Sequence, residues 1–138
     1  KTLPLRMEQH QKNAFAIAKW LQKQLRVQYV LYPGLENHPG YVINKAQTTG
    51  FGGMISFAVD NAETERQILE GVKLIKFAES LGGTESLITY PIRQTHTDLT
   101  AEECAEKGIT DCLLRFSTGI EATQDIIDDL AQAFAAAE

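Results

Sequence analysis

The segment Leu113–Glu121 reads Leu-Leu-Arg-Phe-Ser-Thr-Gly-Ile-Glu and carries the most pointed chemistry in the chain. Strand alternation sets Leu114 and Phe116 on one face and Leu113, Arg115 and Ser117 on the other, so a guanidinium is held mid-strand beside apolar neighbours. A planar, permanently charged fork on a rigid strand suits a carboxylate, which it binds through two parallel hydrogen bonds. An arginine there also suits an ion pair with a nearby Asp or Glu, or an edge strand from which the head reaches solvent. Residue types alone leave these roles open.

A second candidate lies at Glu79-Ser80-Leu81-Gly82-Gly83-Thr84-Glu85-Ser86. Ser80 offers a hydroxyl and the glycines offer backbone amides, donors that fit an anion and equally fit an ordinary tight connection. Beyond these the catalytic inventory is thin. His10, His38 and His96 lack an HxxxH or Cys/His ligand spacing, so no metal site is expected. There is no nucleophile-elbow pattern. Thr48-Thr49-Gly50-Phe51-Gly52-Gly53 is not followed by a helix opening with Lys-Ser or Lys-Thr, so it does not read as a phosphate-cradling loop. Cys104 and Cys112 read as free structural thiols. No catalytic residue is assigned to this chain.

The elements that must position these residues follow from hydrophobic period. Ala14, Ile17, Ala18, Leu21 and Leu25 recur at three- and four-residue steps and predict a helix over Leu5–Leu25, with Phe15 and Trp20 off its stripe, placed to meet something outside the chain. Val27–Leu31 reads as a strand closed by Tyr32-Pro33-Gly34, and Glu36–Gln47 as a loop with a short helix. Met54–Val59 reads as a central strand and Asn61–Val72 as a helix capped by Asp60 or Asn61. Leu74–Ala78 and Leu87–Tyr90 read as strands, the second ended by Pro91. Thr100-Ala101-Glu102-Glu103 has capping-box spacing for a short helix to Lys107. Arg115's strand comes next, then a last helix striped by Ile126, Ile127, Leu130, Ala133, Phe134 and Ala137, with Thr123 as its expected N-cap. The expected fold class is α+β: a largely antiparallel sheet of four to five strands with helices packed on one face.

With 138 residues, 43% hydrophobic and 22% charged, the chain fits one ordinary domain. A net charge of -5 without a dense Lys/Arg patch argues against nucleic acid or an anionic membrane as partner. No apolar run approaches the roughly 18 residues of a membrane span, and the sparse cysteines fit a reducing cytoplasm.

Four stretches together resemble the C-terminal domain of the transsulfuration enzymes, the Cys/Met-metabolism family of pyridoxal-phosphate enzymes that includes cystathionine γ-synthase, β-lyase and γ-lyase. They are Lys1–Asn13, Gly50–Phe57 (GFGGMISF), Ala78–Leu87 (AESLGGTESL) and Gly108–Glu121 (GITDCLLRFSTGIE). The resemblance implies that residues 1–138 form a single C-terminal domain, that a larger pyridoxal-phosphate-binding domain precedes Lys1, and that the whole enzyme is a homotetramer. It implies that Arg115 grips the substrate's α-carboxylate with help from Ser80, that Glu79 lies near the distal part of the substrate, and that Thr95 lies near the site. Glu79 looks like the γ-acting members, although Gln94 stands where many members have methionine. None of Lys12, Lys19, Lys23, Lys45, Lys73, Lys76 or Lys107 matches the family's Schiff-base lysine motif, so cofactor binding is expected from the missing domain and no activity from this chain alone. The implied reaction is γ-replacement on an O-acyl-homoserine with cysteine. Cleavage of cystathionine by β- or γ-lyase chemistry, or a non-catalytic amino-acid-binding module, stands as the alternative.

Overall fold

The longer helices and the central strands form where their apolar residues can share one core. The structure, a computed structural model, describes residues 1–94 and 98–137. Helix α1 (Leu3–Leu21) has a proline in its first turn, where no intrahelical N–H is needed. It buries Asn13, Ala14, Ile17, Ala18 and Leu21 along one side. Strand β1 (Val27–Leu31) follows, then α2 (Tyr41–Gln47), β2 (Met54–Val59) and α3 (Ala62–Gly71). After β3 (Lys76–Phe77) and β4 (Leu87–Thr89) come a 3-10 turn at Pro91–Arg93, α4 (Ala101–Glu106), β5 (Leu113–Ser117) and α5 (Thr123–Ala136).

The five strands form one sheet in the order β1-β2-β5-β4-β3. Its pairings are antiparallel except the last, where β3 and β4 run parallel. Phe57 of β2, Ile88 of β4 and Leu114 and Phe116 of β5 join Ile17, Ile68, Ile126 and Leu130 of the helices in one core. The expected α+β class, with a largely antiparallel sheet under helices, is borne out. Across the middle of the sheet Ser56 pairs with Arg115 and Arg115 with Thr89, so Arg115 belongs to a central strand, not an edge. Among the described residues, no helix is long and apolar enough to cross a membrane.

Four local expectations need correction. Helix α1 stops at Leu21, not Leu25, because the chain tightens into i→i+3 bonds from Lys23 N to Trp20 O and from Gln24 N to Leu21 O before turning into β1. Leu25 is left fully exposed. Trp20 has its partner inside the chain, packing edge-on against Phe134 with ring centroids 5.7 Å apart. Strand β3 is shorter than Leu74–Ala78 because the amides of Lys73, Leu74 and Ile75 turn to the Asp129 carboxylate instead of a neighbouring strand. Ala122, not Thr123, caps α5, since the Thr123 hydroxyl is taken by Asn13 Oδ1 at 2.7 Å. Elsewhere Asn61 is the N-cap of α3, accepting from Thr64 N, and Thr100 with Glu103 closes the capping box of α4.

Candidate functional site

Arg115 sits half-buried at the centre of β5. The loop between β3 and β4 folds back over this strand, and the Glu79 carbonyl accepts a hydrogen bond from Arg115 Nη2 at 2.8 Å. Among the described residues the ion pairs join Arg26 to Asp60 and Arg66 to Glu63 and Glu70. Arg115 therefore has no carboxylate partner there, and neither a local ion pair nor an edge-strand position accounts for it. A carbonyl dipole fixes one nitrogen of the fork and leaves the positive charge uncancelled. The remaining N–H donors can take a carboxylate side-on.

Glu79 and Ser80 are both exposed, and Ser80 directly follows the carbonyl that Arg115 holds. The structure thus brings the Glu79 backbone to Arg115 and puts Ser80 next to that contact. Thr95, the fourth expected site residue, lies outside the described residues.

What holds the loop is a set of polar groups that local sequence reading missed. Gly82 N donates to Ser117 Oγ at 3.0 Å, and Ile120 N donates to the Thr84 carbonyl at 2.9 Å. The Glu121 carboxylate accepts from Ser86 N and Ser86 Oγ, and the same Ser86 Oγ accepts from Gly119 N. Gly119 has no room for a side chain, because a Cβ would press on the Thr84 carbonyl, Ser86 N and the Glu121 carboxylate. Asn13 ties α1 to the same turn by donating to the carbonyls of Gly119 and Glu121. Only Ser117 left a signal in the sequence, since alternation places it on the face of Arg115.

Ionisable groups with shifted behaviour lie away from this site. Burial pushes the Tyr32 phenol up to about 12, and its hydroxyl donates to the Gly52 carbonyl at 2.9 Å. Burial also raises the Cys112 thiol, with the negative charges of Asp111, Glu65 and Asp60 adding to the effect. A lysine that holds pyridoxal phosphate has to be shielded from water beside the ring. Every lysine here is exposed, so the residues present do not fit that role and no cofactor step is derived from this chain.

Comparison with known proteins agrees with the fold. The model of the Cys/Met metabolism PLP-dependent enzyme family matches residues 1–135. A cystathionine gamma-lyase of Dictyostelium discoideum is 51% identical over 134 residues, covering 96% of this chain and 35% of that protein. A cystathionine gamma-synthase of Haemophilus influenzae is 51% identical over 135 residues, covering 98% of this chain and 32% of that protein. The crystal structure of cystathionine gamma synthase from Xanthomonas oryzae pv. oryzae, in complex with aminoacrylate and cysteine, superposes with a TM-score of 0.94 at 44% identity, covering 99% of this chain and 35% of that one. The chain thus spans about a third of the length of the relatives it matches. With the family model matched over nearly its whole length, the chain belongs to the Cys/Met metabolism PLP-dependent enzymes.

Proposed function

We propose that this chain is the substrate-orienting C-terminal part of a pyridoxal-phosphate-dependent transsulfuration enzyme, with Arg115 receiving the α-carboxylate of the amino-acid substrate. The observation that carries the reading is a half-buried, mid-strand arginine held by one backbone carbonyl, with no carboxylate partner among the described residues. Ser80, next to that carbonyl, adds a hydroxyl donor to the same carboxylate. Glu79 is assigned to the distal part of the substrate, which favours γ-chemistry, and Thr95 is kept as a fourth substrate-binding residue of the proposal. The reaction is γ-replacement on an O-acyl-homoserine with cysteine. The relatives named gamma-lyase and gamma-synthase are equally similar to this chain, so γ-cleavage of cystathionine is the reading to test against it. The cofactor and its lysine belong to an N-terminal domain of the whole protein, which assembles as a homotetramer in the cytoplasm.

In this division of labour the chain contributes orientation. Fixing the carboxylate decides which Cα bond stands aligned for cleavage, and alignment of that kind lowers a barrier by several kcal/mol. In the whole protein, Arg115→Ala should raise KM for the amino-acid substrate about 100-fold, from the roughly 3 kcal/mol of a charge-assisted, two-pronged contact. The cofactor's visible absorbance should stay unchanged. Unaltered kinetics would remove Arg115 from the site. Assaying O-acyl-homoserine plus cysteine against cystathionine alone separates synthase from lyase.

A further inference from the structure

Arg115 and Ser117 stand two residues apart on β5 and project from the same face. Both reach the loop that carries Ser80. Arg115 Nη2 donates to the Glu79 carbonyl at 2.8 Å, and Ser117 Oγ accepts from the Gly82 amide at 3.0 Å. These anchors bracket Ser80 and Leu81, so one strand sets both the guanidinium and the hydroxyl beside it. Ser117 is 4% exposed, which leaves little water to compete for its hydroxyl. Gly82 sits at φ +70, a left-handed conformation that a side chain resists. Farther along, the loop is fastened by Ile120 to Thr84 and by Glu121 to Ser86. Between Glu79 and Thr84, among the described residues, Ser117 supplies the one side-chain anchor besides Arg115 itself.

We propose that Ser117 is a positioning residue for substrate binding: its hydroxyl holds the Glu79–Gly82 turn so that Ser80 and Arg115 stand ready for one carboxylate. This rests on the assignment of Arg115 as the carboxylate anchor. Without the Ser117 contact the Gly82 amide loses its acceptor, and the turn samples conformations that substrate must reorder on binding. The loss therefore falls on affinity. A purely structural tie predicts something else, namely lower thermal stability with KM unmoved.

The experiment uses the whole holoenzyme with L-cystathionine, which reads the same site as a substrate of a lyase or as an inhibiting product of a synthase. Ser117→Ala should raise the KM or inhibition constant for L-cystathionine about tenfold, with kcat held within about twofold. Amide hydrogen exchange over residues 79–83 should speed up in the same variant without ligand. Ser117→Cys keeps the side-chain shape with a slightly larger atom, replaces the hydroxyl by a weak acceptor, and should move both readouts the same way if the alanine variant does not fold. Unchanged L-cystathionine affinity in a folded Ser117 variant, with Arg115→Ala strongly impaired, overturns the proposal. If Arg115→Ala is unimpaired, the carboxylate assignment itself fails. Loop exchange then decides the Ser117 contact alone, and unchanged exchange overturns that too.

Discussion

Replacing Asp129 with alanine should cost the fold about 4 kcal/mol. Asp129 lies on α5 and is only 7% exposed, and its carboxylate accepts from three consecutive backbone amides. Oδ1 takes Lys73 N at 2.9 Å, while Oδ2 takes Leu74 N at 3.0 Å and Ile75 N at 2.9 Å. The three amides do not weigh equally. Ile75 is 2% exposed, so its amide is stranded without water when the carboxylate goes, at about 2 kcal/mol. Lys73 and Leu74 are exposed and regain water, so each loses only the net worth of an ordinary solvent-accessible hydrogen bond, about 1 kcal/mol. Asp129→Asn keeps one acceptor oxygen but turns an NH2 toward the donors, and about half the loss is expected. Urea unfolding of the chain, read by fluorescence of its single tryptophan, Trp20, against Phe134 of the same helix α5, measures both. A loss below about 1 kcal/mol for Asp129→Ala, with an unchanged urea slope, would refute the reasoning.

Two further predictions concern titration. Burial raises the Tyr32 phenol to about 12, above its unfolded value, so the stability it contributes is fully present below about pH 10 and drains away as pH climbs toward 12. Tyr32→Phe should flatten that alkaline limb by up to about 1.4 kcal/mol per pH unit, and cost about 1 kcal/mol near neutrality through the lost bond to Gly52. Urea midpoints followed across the alkaline range check this, and parallel curves for the two proteins would contradict it. Burial first, then the charges of Asp111, Glu65 and Asp60, raise the Cys112 thiol, so near neutral pH it should react with a soluble thiol reagent more slowly than a free thiol. Asp111→Asn should speed the labelling, and a wild-type rate equal to the free thiol's would show that the environment is misjudged.

What could be read from the sequence was whatever local period or local capping decides. The Thr100–Glu103 box needs only three residues of spacing, and the alternation about Arg115 needs only five, so both were legible. The end of α1 was not, because Leu25 keeps the helical period while the chain is already turning toward its pairing with β2. Thr123 fits an N-cap by type and lost that role to a partner 110 residues away. The same distance problem hid the grip on the loop. Ser86 meets Glu121 from 35 residues away, Gly82 meets Ser117 from 35, and Arg115 meets the Glu79 carbonyl from 36. The parallel pairing of β3 with β4 was equally hidden, since neither strand has a pattern that states its direction.

That parallel pairing explains why so many small polar groups gather around one loop. Parallel neighbours usually need a crossover of a dozen or more residues, commonly a helix, yet here Lys76 pairs with Leu87 through a connection that has no helix. The chain must run past β5 and come back, so its backbone cannot satisfy itself within the loop. Ser117, Ile120, Glu121 and Arg115 supply the missing partners from β5 and the turn after it. An acidic residue in place of the Glu79 carbonyl would neutralise the guanidinium, whereas the carbonyl orients it and leaves its charge available. In a chain of net charge -5, a cation held this way keeps its attraction for a small anion while its geometry is already fixed. The connection that solves a topological problem is thus the same one that orients the Arg115 guanidinium, as the proposed carboxylate contact requires.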